Sequence, residues 1–334
     1  MLGSQPIGVF GRLRGGSLAD LRSEVRHWEQ LGLTGVLVSD HLFGTDSGPR
    51  REAARPPEPL TLLAAAGALS DRLHVGTIVS NAGLLHPALL FRQFAQLAVL
   101  LGGDRVLAGI GAGWNRSEFE ALGMRMPAFS ERMERLEEVA ALARQLFDHG
   151  FADLHGKHVV ASELPLAPVP EVPPRLMVGG GSQRLLEIAG RHADALDLNG
   201  SPRAEKVAGA DLKTADRRRR LTTTVEDLQE SVDIVRRTSR EAGREADAVE
   251  LSILLTNVVF CEEAQVRQHE EALCAEVGLP AMSLDDRPYV AIGPPQRIAA
   301  LIEDRRKRLG LSRLFVSSPE VERFCLEVLP LLGT

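Results

Sequence analysis

The sequence predicts an α/β fold, a closed (β/α)8 barrel of the TIM type, on three observations. Eight short apolar runs of strand length recur along the 334 residues. Most are followed by helical patterns in which apolar residues sit three and four apart. Runs such as VLVS and VLAGI are apolar on consecutive positions, so the sheet they form must be covered on both faces. Such alternation implies parallel strands with right-handed crossovers, and the strand count suits a closed barrel. An open doubly wound sheet is the rival, but the first strand leads into GRLRGG and not into a GxGxxG turn.

The strand runs are Ile7–Phe10, Val36–Ser39, Leu73–Val79, Val106–Ile110, Leu176–Val178, Ala195–Leu198, Leu251–Phe260 and Leu314–Val316. After the first, Leu18, Leu21, Val25, Trp28 and Leu31 fall on one helical face, with Ser17 as N-cap and Gly32 as stop. Ser130 is expected to cap a helix carrying Met133, Leu136, Val139, Ala143 and Leu146, which Gly150 closes. Leu228, Val232 and Val235 mark another helix. Pro294 and Pro295 start a last one, bearing Ile298, Leu301, Ile302 and Leu309 and stopped by Gly310. Two segments break the rhythm and read as insertions into a single domain spanning residues 1–334, at about 150–174, where LHGKHVV suggests a hairpin, and at about 262–288.

With 44% hydrophobic and 25% charged residues the chain can bury a large core, and its net charge of -6 argues against a nucleic-acid or anionic-membrane surface. No apolar run reaches the length of a membrane helix, and the first residues lack a signal-peptide pattern. Three widely spaced cysteines suggest neither a disulfide framework nor a zinc knuckle. The expectation is a cytoplasmic protein with a small-molecule ligand. His155 and His158 form HxxH without a third ligand or an HExxH context, so no metal is expected. Arg217 to Arg220 read as a solvated loop.

The most informative stretch is VLAGIGAGWNRSEFEALG, residues 106–123, a strand that runs into a glycine-rich turn and then a helix start. Its glycines let the backbone lie close to a flat ligand, at the strand end where parallel barrels do chemistry.

SDH (39–41), GTIVSN (76–81), HPALLFRQFAQL (86–97), GAGWNRSEFEALG (111–123), VGGGS (178–182) and HADALDLN (192–199) together resemble the luciferase-like oxidoreductases, in that family's order and over about Ile7 to Asn199. The resemblance implies a luciferase-like barrel holding FMN or the deazaflavin F420 with its ring in the mouth, and the SDH motif leans toward the F420-dependent branch. That branch transfers hydride between the deazaflavin and an alcohol, imine or activated alkene. FMN members activate dioxygen as monooxygenases and are fed by a separate reductase. A homodimer is a further expectation, and a barrel that merely carries a cofactor is the reading from outside enzymology.

His41 is the expected catalytic group, with Asp40 fixing its tautomer; the alternative has it orient a loop. Ile78, Val79, Ser80 and Asn81 would lie behind the ring, and the resemblance implies a non-prolyl cis bond at Ile78–Val79. Gly179, Gly180, Gly181 and Ser182 form a strand-to-helix turn suited to a cofactor phosphate. Gly111, Trp114, Asn115 and Asn199 complete the expected cofactor contacts. Glu118 reads as a first-turn carboxylate favouring the helix dipole, and His86 as a helix cap. Sugar-phosphate dehydrogenases of the deazaflavin branch have GTGEALNE where this chain has GAGWNRSE, so their acidic residue falls on Trp114. They also have a tryptophan shortly after SDH, where this chain has Leu42, Phe43, Gly44 and Thr45. The resemblance therefore implies a substrate less polar than a sugar phosphate.

Overall fold

Eight parallel strands close on themselves in the computed structural model, which describes residues 8–43, 56–202 and 212–333. They are β1 (Gly8–Arg12), β2 (Gly35–Val38), β3 (His74–Thr77), β4 (Val106–Gly111), β5 (Arg175–Gly180), β6 (Ala195–Leu198), β7 (Glu250–Leu255) and β8 (Leu311–Val316). Each pairs with its neighbour in chain order, and β1 beside β8 closes the ring at Val9↔Leu314. Each expected run supplies one strand, with Ile7, Gly44 and Thr45 outside the described residues.

The seventh run is corrected. It breaks at Thr256, and Asn257–Phe260 leaves the barrel to pair with Val290–Gly293 in a separate parallel ladder. Helix Val266–Glu276 packs on that ladder around Val266, Cys274, Val290 and Ile292, and Leu221 joins them from helix Leu212–Thr222. The apolar run continues through Thr256, which is why periodicity alone does not mark the departure. Arg217 to Arg220 are likewise corrected: they lie in helix Leu212–Thr222 and pair with Glu276 and Asp216 or with backbone carbonyls.

Most helix ends agree with the expected caps. Ser17 caps Leu18–Gln30 in a reciprocal box with Asp20, and left-handed Gly150 and Gly310 stop Phe129–His149 and Pro295–Leu309. Ser130 is not a cap: the helix begins at Phe129, where the Glu131 carboxylate accepts from the Ala128 N–H at 2.8 Å. His86 caps Pro87–Leu101 by accepting from Ala88 N–H. In the segment after Gly150, Phe151–His155 and Val160–Pro165 form an antiparallel hairpin.

Inside the barrel, Phe10, Leu37, Leu107, Met177, Ala195 and Phe315 pack into one cluster. Below it, toward the amino ends of the strands, Glu250 pairs with Arg175 at 2.8 Å and with Arg313. This apolar and ionic filling occupies the interior from beneath and leaves the carboxyl end as the face where parallel barrels take a ligand.

Candidate active site

Strand β2 delivers Ser39, Asp40 and His41 to the carboxyl end of the barrel. Consecutive residues of an extended chain point to opposite sides, and the pair separates accordingly. His41 Nδ1 lies 2.9 Å from Glu118 Oε1, and the same oxygen accepts from Leu42 N–H at 3.0 Å. The Glu118 side chain is only 2% exposed, whereas that of His41 is 22% exposed. The partner that sets the imidazole is therefore Glu118, which corrects the expected role of Asp40; Glu118 does lie in the first turn of its helix, as expected, and makes this contact besides. Asp40 instead turns to Ser80 and Asn81, and burial raises its pKa against the opposing effect of hydrogen bonds from the Asn81 backbone and the Ser80 hydroxyl.

Helix Arg116–Ala121 positions Glu118. Asn115 is its N-cap, accepting from Ser117 N–H at 3.3 Å and from the Ser117 hydroxyl at 2.7 Å, so its side-chain carbonyl is committed to the helix start and not offered to a ring. Trp114, one residue earlier, stands edge-on to His41 with ring centroids 5.6 Å apart and is 47% exposed. Together His41 and Trp114 form one wall of the mouth. Its floor is made by Ile78 and Val79, which pack on the inner cluster and are joined by a cis peptide bond. Val79 fits there because its neighbours lack side chains: a Cβ at Gly111 would lie 2.5 Å from Val79 Cγ2, and one at Gly179 would lie 2.9 Å from Cγ1. Ser80 and Asn81 are buried, Ser80 Oγ lying 3.2 Å from Thr77 Oγ1 and Asn81 Oδ1 accepting from Gly83 N–H at 2.9 Å.

The turn Gly179–Ser182 opens helix Gln183–His192, which Ser182 caps. Among the described residues no protein acceptor takes the Gly181 or Ser182 N–H, and a helix N-terminus adds a partial positive charge there. Gly181 is also needed for packing, since a Cβ would come within 2.1 Å of the Gly200 carbonyl. Asn199, on the adjoining turn after β6, gives its N–H to the Gly180 carbonyl and accepts at Oδ1 from Arg219 Nη2 at 3.3 Å. Asn199 thus braces the turn.

Arg132, in the first turn of helix Phe129–His149, escaped the sequence reading. It donates from Nη1 to the Gly113 carbonyl, its Nε is buried without a partner, and it makes no ion pair among the described residues. The next residue, Met133, touches Ser182 Oγ. A cationic group with an unspent Nε thus stands at the first glycine-rich turn, one residue along the helix from the contact to the second. Beside it a cavity of about 370 Å³ opens, lined by Ala82, Leu85, Ala112, Phe119, Arg132 and Arg135. The legible signal was arginine at i and i+3 on a helix start that follows the GAGW turn.

The remaining candidates separate from this site. His155 pairs with Asp153, and His158 with Glu134.

The family model of luciferase-like monooxygenases matches residues 4–313. An F420-dependent glucose-6-phosphate dehydrogenase of Kribbella flavida is 30% identical over 167 residues, which cover 50% of this chain and 48% of that protein. One of Intrasporangium calvum is 29% identical over 219 residues, covering 64% of each. The chain thus spans about half to just under two thirds of the length of the curated relatives it matches. Among solved structures, an F420-dependent secondary alcohol dehydrogenase superposes with a TM-score of 0.73 at 18% identity, covering 99% of this chain and all of that one. A long-chain alkane monooxygenase superposes at 0.70 with 14% identity, covering 98% of this chain and 91% of that one. Both support the barrel as the fold.

Proposed function

The chain belongs to the luciferase-like monooxygenase family, and from that premise we propose that it is an F420-dependent oxidoreductase moving hydride between the deazaflavin and a small organic substrate. The observation that carries the proposal is the His41–Glu118 pair at the barrel mouth, with Nδ1 held and Nε2 free of protein partners among the described residues. The choice of F420 is supported by the F420 dependence of the relatives from Kribbella and Intrasporangium.

The residues present fit such a cofactor. Val79, seated between Gly111 and Gly179, offers an apolar support for a flat ring. The unpartnered Arg132 Nε and the Gly181 and Ser182 N–H groups offer donors to an anionic tail. Bound deazaflavin supplies the hydride acceptor and donor chemistry. Glu118 accepts a hydrogen bond from the Nδ1–H of His41, which leaves Nε2 as the basic nitrogen. Nε2 then takes the proton of a substrate hydroxyl as the carbon beside it loses hydride, and returns it in the reverse direction. Trp114, where the sugar-phosphate enzymes have an acid, and the exposed Leu42 give the mouth apolar edges. They favour a substrate of low polarity over a sugar phosphate.

An FMN-dependent monooxygenase is the second reading, favoured by those same apolar edges, which would keep water from a reactive flavin. The proposed setting is the cytoplasm, where the unpaired Cys261, Cys274 and Cys325 would stay reduced.

The test is anaerobic turnover. Purified protein with F420 and a panel of secondary alcohols, or reduced F420 and enones, is expected to change the cofactor's absorbance without dioxygen. Turnover only with reduced FMN and dioxygen would reverse the two readings.

A further inference from the structure

Strand β6 alternates its side chains. Leu196 and Leu198 join the outer core, whereas Ala195 lies in the inner cluster and Asp197, two residues on, turns to the same interior. Asp197 is 2% exposed. A Cβ at Gly179 would lie 4.0 Å from Asp197 Cβ as well as 2.9 Å from Val79 Cγ1, so Asp197 shares with Val79 the space that Gly179 leaves open, its carboxyl turned to Ser252 on the next strand.

Among the described residues its one hydrogen-bond partner is neutral. Ser252 Oγ on β7 lies 3.2 Å from Asp197 Oδ1 and 3.3 Å from the Leu196 carbonyl, and a hydroxyl has a single proton to give. If Asp197 is protonated, it donates to Ser252 Oγ while Ser252 donates to Leu196, and both bonds are made. If Asp197 is ionised, Ser252 must turn to it and abandon the carbonyl. The other groups facing it bond elsewhere, although Arg219 and Arg220 each keep a buried Nε without a hydrogen-bond partner among the described residues. Arg220 holds Asp216 at 2.9 Å, and Arg219 is divided between Asp216 and Asn199. The Tyr289 hydroxyl donates to the Leu198 carbonyl at 2.9 Å and accepts from the Gly200 N–H at 2.6 Å. Burial accordingly pushes the Asp197 carboxyl up to about 7, with Ser252 and Arg220 opposing.

We propose that Asp197 is a proton-linked positioning residue. A phosphate-bearing flavin or deazaflavin seats in the mouth more tightly when it is neutral, so cofactor binding near neutral pH takes up part of a proton at this carboxyl. The inference rests on the reading of the mouth as a flavin site. An ionised carboxylate beside the floor opposes an anionic guest, whereas the neutral acid does not.

The experiment measures Kd for F420 and for FMN, each by fluorescence titration at several pH values. Between about pH 6 and about pH 8.5 the wild-type Kd is expected to rise roughly five- to tenfold, the effect of a bound-state shift of up to one pKa unit. In Asp197→Asn, nearly the same size and unable to ionise, that rise should vanish. In Ser252→Ala the ionised form loses its donor, so the rise should move to higher pH. Infrared difference spectra of the wild type near pH 8 should gain a protonated-carboxyl band on cofactor addition. A wild-type slope retained in Asp197→Asn, or no such band, overturns the inference while the flavin reading stands. Failure of both cofactors to bind at any pH overturns the flavin reading, and this inference with it.

Discussion

His41 Nδ1 and Glu118 Oε1 meet at 2.9 Å across 77 residues of chain, tying the end of β2 to the first helix after β4. Glu118 also holds the Leu42 N–H, so a single buried oxygen fixes both the imidazole and its loop. Glu118→Ala removes both bonds. Hydrogen bonds to a charged group contribute about 1.5–3 kcal/mol, so kcat should fall roughly 10- to 100-fold with the circular dichroism spectrum unchanged. Glu118→Gln keeps an acceptor oxygen and should lose less. Equal losses in the two variants would show that orientation by this atom is not what matters.

Arg132 is expected to act on the cofactor's phosphate. Arg132→Ala should weaken FMN and F420 roughly tenfold or more, the scale of a charge-assisted bond, and leave riboflavin, which has no phosphate, unaffected. Isothermal titration with the three ligands checks this. A parallel loss for riboflavin would place Arg132 in the fold and not at the tail.

Trp114 makes binding visible. The chain has two tryptophans, and Trp28 is 3% exposed in the outer core, away from the mouth. Cofactor should therefore quench mainly Trp114, and Trp114→Phe should lose most of the quenching while Kd, followed by cofactor fluorescence, changes only about threefold, less than 1 kcal/mol. Full quenching in the variant would mean the ligand sits elsewhere.

Asp197 also makes stability depend on pH. Its folded pKa, about 7, lies above the ordinary 3.8, so below 3.8 both folded and unfolded chains hold the proton and there is no penalty. As pH rises toward 7 the unfolded chain releases its proton while the native state retains it, and stability falls until it levels off above the folded value. The whole loss is on the order of 4 kcal/mol. Asp197→Asn should therefore gain over the wild type between acid and neutral pH in urea unfolding. A constant difference across that range would show that the carboxyl does not titrate as argued.

The barrel was legible because its strands are covered on both faces and so appear as unbroken apolar runs. The same property hid the break at Thr256, where an apolar run passes from β7 into a different ladder. In the site, adjacency misled: Asp40 and His41 are neighbours in sequence but point to opposite sides, one to Ser80 and Asn81, the other to Glu118. No periodicity announces a contact 77 residues away. Asp197 did leave a trace, an ionisable residue in the apolar strand ALDL, where an inward carboxyl requires either a partner or a proton. The glycine-rich turns were plain in the sequence, but the Gly181 contact with Gly200 shows that close packing accounts for part of what looked like ligand chemistry.

The central claim is that the mouth above Val79 binds a deazaflavin. The direct measurement is the pair of dissociation constants for F420 and FMN at one pH, read from Trp114 quenching. Micromolar or tighter binding of F420, with FMN weaker by tenfold or more, is the predicted result. Micromolar FMN with no F420 binding would contradict it.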